Sequence, residues 1–254
     1  MLPESLQLVM PVHNEGRTIA TMLHEWHDVL RPWVTAEFII CEDGSRDNSQ
    51  DVLRCLSREL PIQLHMTRER RGYGPALISG ILASETEWVA TVDSDGQAYP
   101  SDFPKLLPMR DDCDLVVGWR VNRADHWVRK LMSVSFKLLH RALFGTRLHD
   151  PSCNVTLMRR TVIEDVLPRM GLMVEGFQWE LVARALRSGY RICEVPIRHR
   201  PRAAGGSRVF RPRSIPGIAW RNLVGLLRVR FGDNQIRHHL PIRQQQSRSG
   251  SAGQ

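Results

Sequence analysis

Through the N-terminal part of the chain, short apolar runs alternate with stretches whose apolar residues return at helical spacing. Residues 6–12 read as a buried strand, and beyond the polar His13-Asn14-Glu15-Gly16 the side chains of Ile19, Met22, Leu23, Trp26 and Leu30 fall on one helical face. A second strand, 37–41, runs through Glu42-Asp43-Gly44-Ser45-Arg46-Asp47 into a helix near 49–59. A third, 62–66, leads through Arg70-Arg71-Gly72-Tyr73-Gly74 to a helix over 75–83, and a fourth, 88–92, ends in Asp93-Ser94-Asp95-Gly96-Gln97. Strands alternating with helices at this spacing predict an α/β fold, a mostly parallel sheet with helices on both faces and ligands at the carboxyl ends of the strands. All four polar loops fall at that edge.

After Asp95 the pattern changes. A strand at 113–119 precedes a long helix, 126–144, whose apolar face is Leu131, Val134, Leu138, Leu139 and Leu143; a strand at 155–158, helices at 161–166 and 176–187 and a strand at 191–197 follow. Farther on, Ile215, Ile218, Ala219, Leu223, Leu226 and Leu227 share a broad apolar face opposite Arg221 and Arg228. The division expected is a catalytic domain over 1–209, a basic amphipathic helical tail over 210–243 and a disordered polar end over 244–254.

Charge sharpens this division. The 254 residues carry a net charge of +8, but from Arg198 onward there are 12 Arg, no Lys and a single acid, Asp233. A mildly acidic body with a strongly basic tail seeks a polyanion, and the interleaved apolar residues favour an anionic membrane surface over nucleic acid. The plainer alternative is a C-terminal helix packed on its own domain with a solvated arginine stripe. The N-terminus shows no signal-peptide pattern, and no uncharged apolar run approaches the roughly 20 residues a spanning helix needs. Five scattered cysteines without a CxxC pair argue against a disulfide framework and a zinc site. A cytoplasmic protein associated peripherally with the membrane face is the expectation.

The candidate chemistry lies in the loops. Side chains of a strand alternate faces, so Asp93 and Asp95 are expected on one side, where two carboxylates can share a hard divalent ion that grips a diphosphate. Taken alone, an Asp-x-Asp is more often a strand running into a polar turn. Likewise Glu42-Asp43-Gly44 reads as a capped turn before a helix, and Gly72 and Gly74 as a loop-to-helix junction that also permits close backbone approach.

Four ordered motifs, Met10-Pro11-Val12-His13-Asn14-Glu15, Glu42 to Asp47, Gly72-Tyr73-Gly74-Pro75-Ala76-Leu77 and Asp93 to Gln97, together resemble the family 2 glycosyltransferases of GT-A fold. Glu194-Val195-Pro196-Ile197 with Arg202-Ala203-Ala204-Gly205-Gly206-Ser207-Arg208 is similar to the polyprenyl-phosphate branch typified by dolichyl-phosphate mannose synthase. The resemblance spans residues 6–208. It implies that Pro11, Asn14, Glu15, Asp43 and Gly74 line the nucleotide pocket, with Asp43 holding the base or ribose. It also implies that Asp95 and Gln97 contact Mg²⁺ or Mn²⁺ and that Asp93 supports the same ion and the sugar end of a GDP- or UDP-type donor. Ser94 stands where a small residue such as Ala is common.

A hydroxyl acceptor needs a general base, whereas a phosphate monoester already carries about −1.5 to −2 charge and needs cations to position it. The resemblance assigns Arg129 and Ser133 to the lipid phosphate, Arg120 and Arg208 to the donor and Arg202 to closure over the diphosphate. The segment 150–155 departs from the family, with Asn154 and Val155 where Gly and an aromatic are usual; Asn tolerates a left-handed turn there. Asp150 is the candidate acid facing the sugar and Glu180 a second, or each is an ordinary ion-pair partner. The reading is an inverting, metal-dependent hexosyltransferase from a nucleoside diphosphate sugar to a polyprenyl phosphate. Its rivals are a soluble hydroxyl acceptor with Asp150 or Glu180 as base, and a basic nucleic-acid-binding protein.

Overall fold

The computed structural model describes residues 5–121, 127–173, 176–201 and 215–232, without the side chains of 127–132 and 215. In chain order the elements are β1 (Ser5–Val12), α1 (Ile19–Leu30), β2 (Thr35–Asp43), α2 (Ser49–Leu56), β3 (Ile62–Thr67), α3 (Tyr73–Ala83) and β4 (Trp88–Thr91). A 3-10 helix over Pro100–Asp111 precedes β5 (Leu115–Val121) and α4 (Trp127–Phe144). Then come β6 (Thr156–Arg159), α5 (Arg160–Val166), α6 (Phe177–Arg187), β7 (Ile192–Arg198) and α7 (Ile215–Phe231). Among the described residues seven strands form one sheet in the order β3-β2-β1-β4-β6-β5-β7. Every pairing is parallel except the two made by β6. The carboxyl ends of the other six strands therefore open on one edge.

β1 is central and covered on both faces, which is why its sequence reads as a continuous apolar run and not an alternation. The five α1 residues expected on one face are the ones it buries, and Trp26 among them meets Phe103 edge-on at 5.6 Å. α3 lies so close to the sheet that a Cβ on Gly80 would stand 2.4 Å from Cys41 Sγ and 2.5 Å from Val9 Cγ1. No larger residue fits there without displacing the helix.

The sequence pattern did not predict the helix at Pro100–Asp111. Pro100, Pro104 and Pro108 remove backbone donors that an α-helix would need, and tertiary contacts hold the segment instead. Asp102, almost wholly buried, accepts from Lys105 Nζ at 2.7 Å and from the backbone N–H, Nε and Nη2 of Arg198 on β7 at 2.7, 3.0 and 3.0 Å. Burial alone would raise this carboxyl's pKa; hydrogen bonds from Arg198 and Lys105 outweigh it and bring the value to about 2.

One expectation is corrected. Cys113, just before β5, and Cys193 on β7 form a disulfide with Cα atoms 6.0 Å apart; the parallel pairing of β5 with β7 brings these segments, 80 residues apart in sequence, side by side. The even scatter of cysteines could not reveal that register. The tail combines features of its two expected readings. α7 packs against α4 and α6, with Leu226 and Val229 joining Met173, Trp179 and Ala183 in a second apolar cluster; Ile218 is buried as well. Part of the face expected to meet a membrane is therefore internal. Its outward face carries Trp220, Leu227 and Phe231 among Arg221, Arg228 and Arg230. The remainder of 210–243 and all of 244–254 lie outside the described residues.

Asp102 generates a pH prediction. Its folded pKa lies below the usual carboxylate value, so its contribution is full above about pH 4 and is lost as pH falls toward about 2. Chemical denaturation of Asp102→Asn should show lower stability at neutral pH and a flatter decline over that acid window than the parent protein. Parallel pH profiles for the two proteins would refute the linkage.

Candidate active site

At the edge where β1, β2 and β3 end, three loops are tied together by side-chain capture of backbone amides. Asn14 adopts φ 55°, and it is the non-glycine residue with positive φ among those described. In that conformation its N–H donates to Ser45 Oγ at 2.8 Å while its Oδ1 accepts from Arg46 N–H at 2.7 Å. Gly16 N–H donates to Asp47 Oδ2 at 3.1 Å, and Glu15 N–H to Ser49 Oγ at 2.9 Å. Asp43 caps the third loop, accepting from the N–H groups of Arg71 and Gly72 at 2.7 and 2.8 Å. Gly44 has φ 61°, and a Cβ there would stand 2.7 Å from Arg70 N, so the turn admits only glycine without strain.

This arrangement places Asn14, Glu15 and Asp43 around one rim, with Pro11 buried inside β1 and Gly74 buried in the first turn of α3. Asp43 is 4% exposed and both its oxygens already hold the Arg71–Gly72 backbone. Its first task is therefore to fix the loop that opens α3.

β4 ends at Thr91, so Asp93 and Asp95 belong to the turn beyond the strand and are not aligned by strand alternation as expected. They are nevertheless close enough to interact. Burial first, and then the charge of Asp95, raise the Asp93 carboxyl to about 6 against hydrogen bonds from Asn154 and Tyr73 and the charge of Arg120. Tyr73 Oη donates to Asp93 Oδ1 at 2.9 Å, and Asn154 Nδ2 donates to Oδ2. Asn154 thus does not make the left-handed turn expected from its family position; its amide holds Asp93. Gly96 at φ 71° reverses the chain, and Asp95 Oδ1 accepts from Gln97 N–H at 3.0 Å. Arg200 braces the turn from outside, donating from its backbone to Gln97 O at 2.9 Å and from Nε to Gly96 O at 2.5 Å, and pairing with Glu25 at 2.8 Å.

The far side of the edge is built on β5 and the segment after α4. Arg120 meets the Asp150 carboxylate through Nε at 2.7 Å and Nη2 at 3.0 Å, and Ser152 Oγ bridges both partners at 2.8 Å. This is a largely buried, two-pronged ion pair. Glu180 is fully buried, pairs with Arg184 at 2.8 Å and accepts from the N–H groups of Gly171, Leu172 and Met173. It is a structural cap on the approach to α6. Ser133 lies on α4; the side chain of Arg129 and the whole of Arg202, Ser207 and Arg208 lie outside the described residues.

Hydrogen bonds and charge link Asp93 to Tyr73, Asn154, Asp95 and Arg120, and Arg120 to Asp150; Tyr73, Arg200 and Glu194 are structural partners of the site that the sequence reading does not single out. Tyr73 stood within a quoted motif, and an aromatic between two glycines was the available signal. A divalent ion fits the Asp93–Asp95 turn: two adjacent carboxylates repel, and a cation between them removes that repulsion. Among the described residues no cluster of three or more His, Cys, Asp or Glu side chains gathers to hold a metal. One or two carboxylates, with the rest of the shell from phosphate and water, is the usual pattern for Mg²⁺.

The chain is similar to several known proteins. A dolichyl-phosphate hexose transferase of Haloferax volcanii is 29% identical over 205 residues, covering 79% of this chain and 85% of that protein. A dodecaprenyl-phosphate galacturonate synthase of Rhizobium johnstonii is 29% identical over 242 residues, and the match spans 89% of this chain but 66% of that longer protein. In fold, glucosyl-3-phosphoglycerate synthase from Mycobacterium tuberculosis, solved with Mn²⁺, UDP and phosphoglyceric acid, superposes with a TM-score of 0.67 over 89% of this chain and 78% of its own, at 19% identity. Residues 7–167, which run from within β1 to beyond β6 and include every loop of the candidate site but the β7 end, match the family described as glycosyl transferase family 2. The strand-edge loops and that match agree: the chain is a member of glycosyl transferase family 2, with the GT-A arrangement of its sheet.

Proposed function

We propose that the protein transfers a hexose, with inversion, from a nucleoside diphosphate sugar to a polyprenyl phosphate at the cytoplasmic membrane face. The observation that carries the acceptor assignment is the state of the two carboxylates that a hydroxyl acceptor would recruit as base. Asp150 is locked to Arg120, and Glu180 is buried beneath Arg184. A phosphate acceptor needs neither, because its own oxygen is anionic. Relatives named for polyprenyl-phosphate acceptors support the same reading.

In this reading the loops after β1 and β2 receive the nucleotide, and Asp43 sets the Arg71–Gly72 backbone that faces it. Asp95, with Asp93 and Gln97, would hold a divalent ion, which when bound supplies charge neutralisation for the departing diphosphate. Tyr73 and Asn154 orient Asp93. Arg120, held by Asp150, lends positive charge to the edge without becoming mobile, and Arg202 and Arg208 are assigned to the donor diphosphate. Arg129 and Ser133 are assigned to the acceptor phosphate. One acceptor phosphate oxygen attacks the anomeric carbon as the bond from that carbon to the diphosphate breaks, leaving a β-linked lipid phosphosugar and free nucleoside diphosphate.

The lipid reaches this edge at the α4–α7 side. An apolar groove there is lined by Phe136, Leu139, Pro216, Ala219, Trp220 and Leu223, and Trp220 and Phe231 are 66% and 73% exposed beside Arg221, Arg228 and Arg230. Aromatic rings with flanking arginines suit an anionic lipid surface, where each arginine contributes about 1 kcal/mol. Among the described residues no helix is long and apolar enough to cross a membrane.

Activity with a nucleotide-sugar panel, Mn²⁺ and undecaprenyl phosphate tests the reaction; product from undecaprenol but not from its phosphate would select the hydroxyl rival. Asp95→Asn should lose at least about a hundredfold in turnover while its melting temperature stays near that of the parent, and EDTA should reproduce the loss. Full activity in either case removes the ion from the account. Flotation with anionic vesicles tests the surface: Trp220→Ser/Phe231→Ser should bind several-fold more weakly with an unchanged melting temperature. Equal binding would mean that this face does not meet lipid.

A further inference from the structure

Glu194 opens the Glu194-Val195-Pro196-Ile197 motif, and none of the roles assigned above uses it. It lies on β7, the edge strand, opposite Val117 of β5. A carboxylate on an edge strand ordinarily turns to solvent, yet this side chain is 9% exposed. Its two oxygens are engaged by a single turn of the chain. Oε1 accepts from Asp150 N–H at 2.7 Å, and Oε2 accepts from His149 N–H at 2.6 Å with His149 Nδ1 at 3.0 Å. The His149 ring in turn stacks on Trp119 with centroids 4.0 Å apart.

The residues of this turn and just beyond it give the arrangement its purpose. Asp150 clamps Arg120, Ser152 bridges the clamp, and Asn154 reaches Asp93. One short segment therefore delivers groups to both Arg120 and the Asp93 turn, and its first two backbone amides hang on one carboxylate. Buried carboxylates are costly unless hydrogen-bonded, and here the donors that satisfy Glu194 are the ones that fix the segment.

We propose that Glu194 is a positioning residue of the transfer reaction: it holds residues 149–154 in register so that Arg120 and Asn154 meet the reacting groups. This rests on the polyprenyl-phosphate acceptor reading. The isosteric Glu194→Gln places an amide N–H against the donors of the turn and so lets the segment shift without removing bulk. A shift on the scale of an ångström in a positioned group costs up to about a hundredfold in rate.

The experiment is steady-state kinetics of the full chain in anionic vesicles with Mn²⁺, using UDP-glucose and GDP-mannose as donors and undecaprenyl phosphate as acceptor. Glu194→Gln should lower kcat at least about tenfold and raise the acceptor KM, with UDP or GDP affinity by calorimetry within about threefold of the parent. Mere loss of folded protein would lower the apparent kcat and the calorimetric stoichiometry together, leave both KM values alone, and overturn the positioning role. In an Arg120→Lys background the Glu194→Gln change should add little, because the two act through one clamp. Additive losses, or parent-like kinetics in the single variant, overturn the proposal. If the parent transfers to no polyprenyl phosphate, the acceptor reading fails separately, and hydrolysis of the same donors then reads Glu194: an unchanged hydrolysis rate overturns it and a tenfold loss supports it.

Discussion

Strands that leave a parallel sheet at a common edge expose backbone amides that have just lost their sheet partners, and those amides must find acceptors before the edge can hold a fixed shape. In this protein the acceptors are side chains from neighbouring loops. Asp43 takes the amides of Arg71 and Gly72, Asn14 takes Arg46, Asp47 takes Gly16, and Glu194 takes His149 and Asp150. Each capture joins segments distant in sequence, so the rim is rigid although it consists of turns. The chemistry of the site depends on that rigidity, because a nucleotide and an ion need preformed oxygen and amide positions.

The same interactions account for the charge distribution within the fold. Carboxylates that might act as free bases are committed to backbone or arginine partners, as Asp150 is to Arg120 and Glu180 to Arg184. Asp93 is different: it is held by neutral donors, Tyr73 and Asn154, and stands close to a second carboxylate. A site whose negative charge is concentrated in one turn, with arginines around it, is arranged to bind a cation and polyanions together. That is the demand a diphosphate leaving group makes.

Much of this was legible in the sequence, because the signals are local. Helical and strand periodicity located all seven strands and the helices around them to within a few residues, and the family motifs named the loops of the edge. Long-range register was not legible. The Cys113–Cys193 pairing, the reversed direction of β6 and the docking of Leu226 and Val229 on Trp179 depend on which distant segments become neighbours. The proline-punctuated helix at Pro100–Asp111 escaped because it is held by Asp102 and Arg198, not by its own periodicity. The sequence shows the backbone tolerance of Asn154, whereas its side chain, which holds Asp93, is the part the fold uses. In each case the missing information was the identity of a partner.

The central claim is that the acceptor brings its own negative charge and the protein supplies position in place of a base. The most direct measurement is the acid limb of kcat/KM against pH for two acceptors of equal chain length, a polyprenyl phosphate and the corresponding phosphonate, whose second ionisation lies higher. The account predicts a limb near about 6 for the phosphate that moves up with the phosphonate by the difference between their ionisations. A limb that stays at the same pH for both acceptors would assign it to a group on the protein and contradict the claim.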